Sequence, residues 1–216
     1  MTFAMGLFVE TLQQEQDGSG GHLLTRLDQS IEHLELLLTD LLDVSKLDAG
    51  VKKVKKSSVK IRPLLQRVVN DFSVLAEDKQ LRLSLFIADS ACADSLTIDT
   101  DPMMLERVIR NLLSNAIRYT ESGGILIACR VYGGAEVSLE VWDTGQGIPE
   151  QQQTCIFESH QQLNNENQEA EKGFGLGLSV VKRLTDSLSH PLSLESKEGR
   201  GSVFKVFAGG SFCLKG

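Results

Sequence analysis

Apolar residues recur every three or four positions along "HLLTRLDQSIEHLELLLTDLLDVSKLDAG", residues 22–50. Leu23, Leu27, Leu34, Leu37, Leu41 and Val44 form one helical stripe, which Leu24, Ile31, Leu38 and Leu42 widen. A shorter helix precedes it, separated by the flexible tract "DGSGG" (17–21), so residues 1–50 read as an antiparallel helical hairpin. Two helices cannot hide so wide a stripe. It points to a four-helix bundle with a second copy of the chain, or to packing on the rest of the chain.

The pattern changes after Gly50. The lysine-rich "DAGVKKVKKSSVK" ends the helix and places a linker at 51–58, a solvated face between the hairpin and a second domain at 59–208, followed by a tail at 209–216. "IRPLLQRVVNDFSVLAEDKQ" reads as a helix, "LRLSLFIA" and "LTIDT" as strands, and residues 102–119 as an amphipathic helix. "GGILIACRVY" and "EVSLEVWDTG" form a hairpin around Gly133 and Gly134. A helix spans about 176–187, and "PLSLESK" and "GSVFKVFA" pair around "EGRG". Helices mixed with paired strands in this order predict an α+β domain: a two-layer α/β sandwich whose mainly antiparallel sheet is covered on one face.

Composition narrows the possibilities only modestly. The 216 residues are 41% hydrophobic, enough for a real core, and carry a formal charge of -7, which argues against nonspecific nucleic-acid binding. Any phosphate site must therefore be built locally. Cys92, Cys129, Cys155 and Cys213 are scattered without a CxxC pair or clustered histidines, as expected of reduced thiols rather than a disulfide framework or zinc site. No apolar stretch approaches the ~20 residues that span a bilayer. The start lacks the basic segment and cleavage site of a secretory signal, so a cytoplasmic location is expected for this part of the chain, whatever precedes it.

Three short stretches carry candidate chemistry. In "DPMMLERVIRNLLSNAIRYT", Leu105, Val108, Ile109, Leu112, Leu113, Ala116 and Ile117 occupy the core positions of a helix lying on a sheet. Asn111, Asn115 and Arg118 share the border of that stripe, with Tyr119 one turn beyond Asn115. Two carboxamides and a guanidinium there can hold a hydrated metal and phosphates, or be ordinary surface residues. In "VWDTGQGIP", Asp143 ends a strand and Gly145 and Gly147 follow. The carboxylate can accept from the exocyclic amine of adenine while the glycines admit the base, although a D-x-G hairpin turn has the same pattern. In "EKGFGLGLSVVKRL", Gly173, Gly175 and Gly177 alternate before a helix, an arrangement suited to phosphate contact. No GK[ST] follows, and Val180 stands where a dinucleotide fingerprint needs glycine. Between the second and third stretches, residues 148–173 are polar with hardly any core pattern, which predicts a lid that ends in the glycines.

In order, N-L-L-S-N-A-I-R-Y, D-T-G-Q-G-I, Phe157, G-F-G-L-G-L and G-R-G-S resemble the N, G1, F, G2 and G3 boxes of two-component sensor histidine kinases. The resemblance covers residues 58–207 and implies the Bergerat ATP-binding fold. The preceding "LLDVSKLDAG" is similar to the second helix of that family's dimerisation and phosphotransfer hairpin, and the style of the sequence is similar to hybrid kinases. Residue by residue, the resemblance implies Asn115 as the magnesium ligand and Asn111 beside it, both counted as catalytic. Arg118 and Lys172 would contact phosphate, and Tyr119 would pack near the base. Asp143 would read the adenine amine in a pocket shaped by Gly145 and Gly147, with Ser202 supporting it through a hydroxyl. Gly173, Gly175, Leu176, Gly177 and Leu178 would form the lid hinge and the phosphate-facing backbone.

The implied cofactors are ATP and Mg2+. The implied partners are a second copy of the chain, through the hairpin, and a response-regulator receiver domain. The family's acceptor histidine sits on the first hairpin helix, yet residues 1–16 contain none. His22 falls in the loop, His33 on the second helix, His160 in the lid and His190 in a turn. The expectation is thus a fragment that binds ATP without normal autophosphorylation. The alternatives are a nucleotide-binding dimerisation module that only switches conformation, and a hydrolytic ATPase. Hydrolysis is disfavoured because it needs a glutamate base where Asn111 stands.

Overall fold

The computed structural model describes residues 54–88, 96–132, 136–157 and 177–212. The chain divides into two units, Met1–Val51 and Lys52–Gly216, and every described residue belongs to the second. The hairpin read over 1–50 and the Gly133-Gly134 turn lie outside the described residues, as does the polar segment from 158 to 176.

The sheet has seven strands: β1 (Ser57–Lys60), β2 (Arg82–Ile87), β3 (Leu96–Thr100), β4 (Gly124–Tyr132), β5 (Glu136–Asp143), β6 (Leu192–Lys197) and β7 (Gly201–Phe212). Their order is β1-β3-β7-β5-β4-β2, with β6 also on β7. Only β2 and β4 pair in parallel; the other pairs are antiparallel. Strand β7 is the hub. One edge pairs with β5, while the other holds β6 along Gly201–Val206 and β3 along Gly210–Phe212. The strand read as "GSVFKVFA" therefore continues to Phe212, because its last residues pair with a strand that arrives from more than a hundred positions earlier in the chain.

Among the described residues three helices cover one face: α1 (Ile61–Asp78), α2 (Pro102–Tyr119) and α3 (Gly177–Leu188). Helix α2 lies between the other two and packs on β5. Its start is sharply defined, since Asp101 Oδ1 accepts from the Met103 and Met104 amides at 3.1 and 3.2 Å and Pro102 needs no hydrogen-bond partner at N1. Asp101 Oδ2 also takes the Lys55 amide at 2.9 Å, which ties the chain ahead of β1 to this cap. All seven apolar positions of the predicted stripe on α2 are buried. At about 1.5–3 kcal/mol for each large side chain removed from water, that stripe alone commits the helix to the sheet.

Strand β5 shows how the two faces differ. Val137, Leu139 and Val141 are buried, as an inward-facing alternation requires. On the opposite face Glu140 is also buried, at 1% exposure, under Arg130, Tyr132, Trp142 and Lys205. Its carboxylate accepts from Ser138 Oγ (2.7 Å), Trp142 Nε1 (2.8 Å), Arg130 Nε (3.1 Å) and Tyr132 OH (3.3 Å). Burial alone would raise its pKa. The hydrogen bonds from Ser138, Trp142 and Arg130, with the Arg130 charge, outweigh burial and hold the carboxyl below its ordinary value.

Candidate functional site

Asp143 ends β5, where the chain leaves the sheet for the loop "TGQGIP". Its Oδ1 accepts from the Gly145 amide at 2.9 Å and the Ser202 amide at 3.2 Å. Among the described residues Oδ2 takes no hydrogen bond. One oxygen is thus held by backbone, and the other is open among the described residues. Burial lifts the pKa of this carboxyl above the ordinary aspartate value, and the two amide bonds only partly offset it.

The loop's glycines are required by close approach. A Cβ on Gly145 would stand 2.3 Å from the Tyr119 carbonyl oxygen, so the loop rests directly on the last turn of α2. Gly147 has φ +70°, and a Cβ there would stand 2.1 Å from the Lys197 carbonyl oxygen. Backbone hydrogen bonds complete the anchoring: Gln146 donates to the Tyr119 carbonyl (3.3 Å) and Gly199 to the Gln146 carbonyl (2.7 Å). The D-x-G pattern is therefore no simple hairpin turn. It wedges between α2 and the β6–β7 connection.

The asparagines meet the third stretch from the middle of α2. A Cβ on Gly177, the first residue of α3, would lie 3.1 Å from Asn111 Oδ1 and 3.6 and 3.7 Å from Asn115 Nδ2 and Oδ1. Two carboxamides thus face the N-terminus of α3, where the helix dipole favours an anion. The Asn111 amide is oriented as well. Its Nδ2 donates to the Arg107 carbonyl at 3.0 Å, which turns Oδ1 toward Gly177. An oxygen presented in this way suits a hard cation such as Mg2+, which takes oxygen donors and keeps part of its water shell.

The predicted residues that are described thus meet at α2, with the aspartate loop on its C-terminal turn and Gly177 opposite its middle. Arg118 sits in that last turn, half-buried, and Tyr119 is 46% exposed. Leu178 follows Gly177 in the first turn of α3, half-buried. Lys172, Gly173, Gly175 and Leu176 lie outside the described residues, as does the body of the expected lid. Where the lid segment begins it is not structureless. Two 3-10 turns, Glu150–Gln152 and Cys155–Phe157, form there; Ile156 is buried and Phe157 meets Phe204 edge-on at 6.4 Å.

Ser202 differs from the expectation in its details. Its amide, not its hydroxyl, reaches Asp143, because the hydroxyl lies 2.9 Å from Ser196 Oγ. His190 follows the turn that ends α3 and is buried against Thr100 Oγ1 at 2.9 Å, closing the end of α3 onto β3. Sequence reasoning missed Thr144, Gln153 and Ser196. Thr144 Oγ1 accepts from the Gly124 amide and donates to the Ser122 carbonyl, and Gln153 Nε2 donates to the Ile148 and Ser196 carbonyls. Serine, threonine and glutamine beside turns are too common to stand out. Only their partners, 5 to 48 positions away, mark them.

Comparison with known proteins places the fold in a family. The family described as "Histidine kinase-, DNA gyrase B-, and HSP90-like ATPase" matches residues 100–208, just over half of the chain. Sensor histidine kinase RcsC of Escherichia coli (strain K12) is 33% identical over 184 residues, covering 85% of this chain and 19% of RcsC. Signal transduction histidine-protein kinase BarA of the same strain is 32% identical over 198 residues, covering 90% of this chain and 21% of BarA. The chain thus spans about a fifth of the length of these curated relatives. Among solved structures, full-length ShkA in complex with AMPPNP superimposes with a TM-score of 0.74 at 27% identity, covering 90% of this chain and 40% of ShkA. Family model, relatives and fold agree: the chain belongs to the histidine kinase-, DNA gyrase B- and HSP90-like ATPase family and carries the ATP-binding catalytic domain of a sensor histidine kinase.

Proposed function

We propose that this domain binds ATP with Mg2+ and transfers the γ-phosphoryl group to a histidine of a helical hairpin, from which it passes to an aspartate of a response-regulator receiver domain. The observation that carries this reading is the division of labour around α2. A carboxylate with one locked and one open oxygen stands at one end, and two carboxamides face a helix N-terminus further along. Asp143 Oδ2 accepts from the exocyclic amine of adenine, and Gly145 and Gly147 leave room for the base. Asn115 and Asn111 hold the metal through their amide oxygens. Arg118, Lys172 and the amides of Gly173, Gly175 and Gly177 receive phosphate oxygens, flanked by Leu176 and Leu178, while Tyr119 lies by the base.

Asn115 and Asn111 would hold the Mg2+, which would supply positive charge against the negative charge of the phosphates. The protein's own task is positioning. No strong base is needed beside the nucleotide, because the attacking nitrogen belongs to the acceptor histidine. Dimerisation through residues 1–50, docking of a receiver domain and a cytoplasmic setting accompany this reading. No helix among the described residues is long and apolar enough to cross a membrane.

The experiment supplies γ-labelled ATP, Mg2+ and a hairpin bearing an acceptor histidine in trans. The expected product is an acid-labile, alkali-stable phosphoprotein that is lost in Asn115→Ala. Steady release of inorganic phosphate with no phosphoprotein, abolished by Asn111→Ala, would instead establish a hydrolase.

A further inference from the structure

Asp143 on β5, Ser202 on β7 and Ser196 on β6 stand in one row across the sheet, with Asp143 paired to Ser202 and Ser202 to Ser196. Directly paired residues share a face, so all three side chains lie on the same side of the sheet. Ser196 Oγ is 2.8 Å from the Ile148 amide nitrogen, 2.9 Å from Ser202 Oγ and 3.1 Å from the Gly201 carbonyl oxygen. A serine hydroxyl has one proton and two lone pairs. The carbonyl can only accept and the amide can only donate. The Ser196 proton therefore goes to Gly201, and its lone pairs take the Ile148 N–H and the Ser202 O–H. With its proton turned away to Ser196, Ser202 Oγ is left with lone pairs only.

We propose that Ser196 is a positioning and specificity residue of the nucleotide site: it fixes the Ser202 hydroxyl as an acceptor beside Asp143, so that this end of the row matches the amine of adenine and opposes the carbonyl of guanine. The inference rests on the ATP reading above. Gln153 supports it by holding the loop on both sides, with Nε2 donating to the Ile148 carbonyl at 2.9 Å and the Ser196 carbonyl at 3.1 Å. Without the Ser196 hydroxyl, the Ile148 amide loses its partner and the Ser202 proton is free to rotate. It can then turn toward Asp143, competing with adenine, or toward a guanine oxygen, which it would satisfy. Discrimination should relax, because unpaired polar groups in the site are what reject the wrong base.

The test titrates the full chain with the non-hydrolysable analogues of ATP and GTP in the presence of Mg2+, after thermal melting of each variant. Ser196→Ala is expected to weaken the ATP analogue by about tenfold, the effect of losing one hydrogen bond of ordinary strength, and to narrow its preference over the GTP analogue by at least as much. Ser196→Thr keeps the hydroxyl and should restore the preference. Ser202→Ala keeps the amide bond to Asp143 but removes the oriented acceptor. It should narrow the preference equally, and the double variant should do no worse than either single one. An unchanged preference in Ser196→Ala, whether both affinities hold or both fall together, overturns the proposal. If that variant does not fold, an unchanged preference in Ser202→Ala overturns it in the same way. Failure of the unsubstituted chain to bind either analogue removes the ATP reading itself, and this inference with it.

Discussion

Asp143 is shaped by two opposing demands. Two backbone amides hold Oδ1, while burial disfavours the charge that Oδ2 needs in order to accept strongly from an amine. Because the folded-state pKa is raised, the stabilising contribution is fully present below the unfolded pKa and is lost as pH rises through the folded value. At neutral pH the ionised side chain therefore weakens the fold. Asp143→Asn should keep the Oδ1 acceptor, replace Oδ2 with a donor and remove the charge. We expect an unchanged or higher melting temperature together with loss of ATP binding, measured by thermal denaturation and calorimetric titration. In the unsubstituted protein, ATP affinity should start to fall, as pH is lowered, at a higher pH than the ordinary aspartate value of 3.8 would give.

At the scale of elements, α2 is the platform for the site. It carries both asparagines, and its last turn bears the loop that follows Asp143. Its start depends on Asp101, which satisfies two helix amides and the amide of Lys55. Asp101→Ala should cost about 0.5–2 kcal/mol of stability from the lost cap, with somewhat more from the stranded Lys55 amide. Denaturant titration would measure it. Asn111 and Asn115 lie three to four turns further on, so nucleotide affinity should change far less than stability. A parallel collapse of affinity would show that the cap also sets the site.

For the whole molecule, a net charge of -7 opposes a polyphosphate, so the proposed binding rests on local groups and on the Mg2+ proposed with them. A ligand that binds only the folded state stabilises it by mass action, by about 2.7 kcal/mol at a hundred times its dissociation constant. ATP with Mg2+ should therefore raise the melting temperature more than ATP with a chelator. Asn111→Ala and Asn115→Ala should erase that difference while leaving the melting temperature without ligand nearly unchanged. An increment independent of Mg2+ would contradict their assignment as metal-holding residues.

How much of this was legible in the chain depends on the range of the interactions. The stripe on α2, its span over 102–119, the strand pairs around "EGRG" and the order of the motifs are local, because helix and strand periods are imposed by backbone geometry within a few residues. Asparagine, aspartate and glycine at those spacings could be picked out as chemistry-bearing before any coordinates. The pairing of β3 and β6 along one edge of β7 could not, nor could the burial of Glu140 under cations and rings on the outer face. Both depend on which strand arrives beside which, and that is set by packing of the whole core. The same holds within the site. The sequence singled out Asp143 and Ser202, but only the tertiary register decided that Ser202 reaches Asp143 through its amide while its hydroxyl meets that of Ser196, since hydrogen-bond partners follow from spatial neighbours rather than chain neighbours.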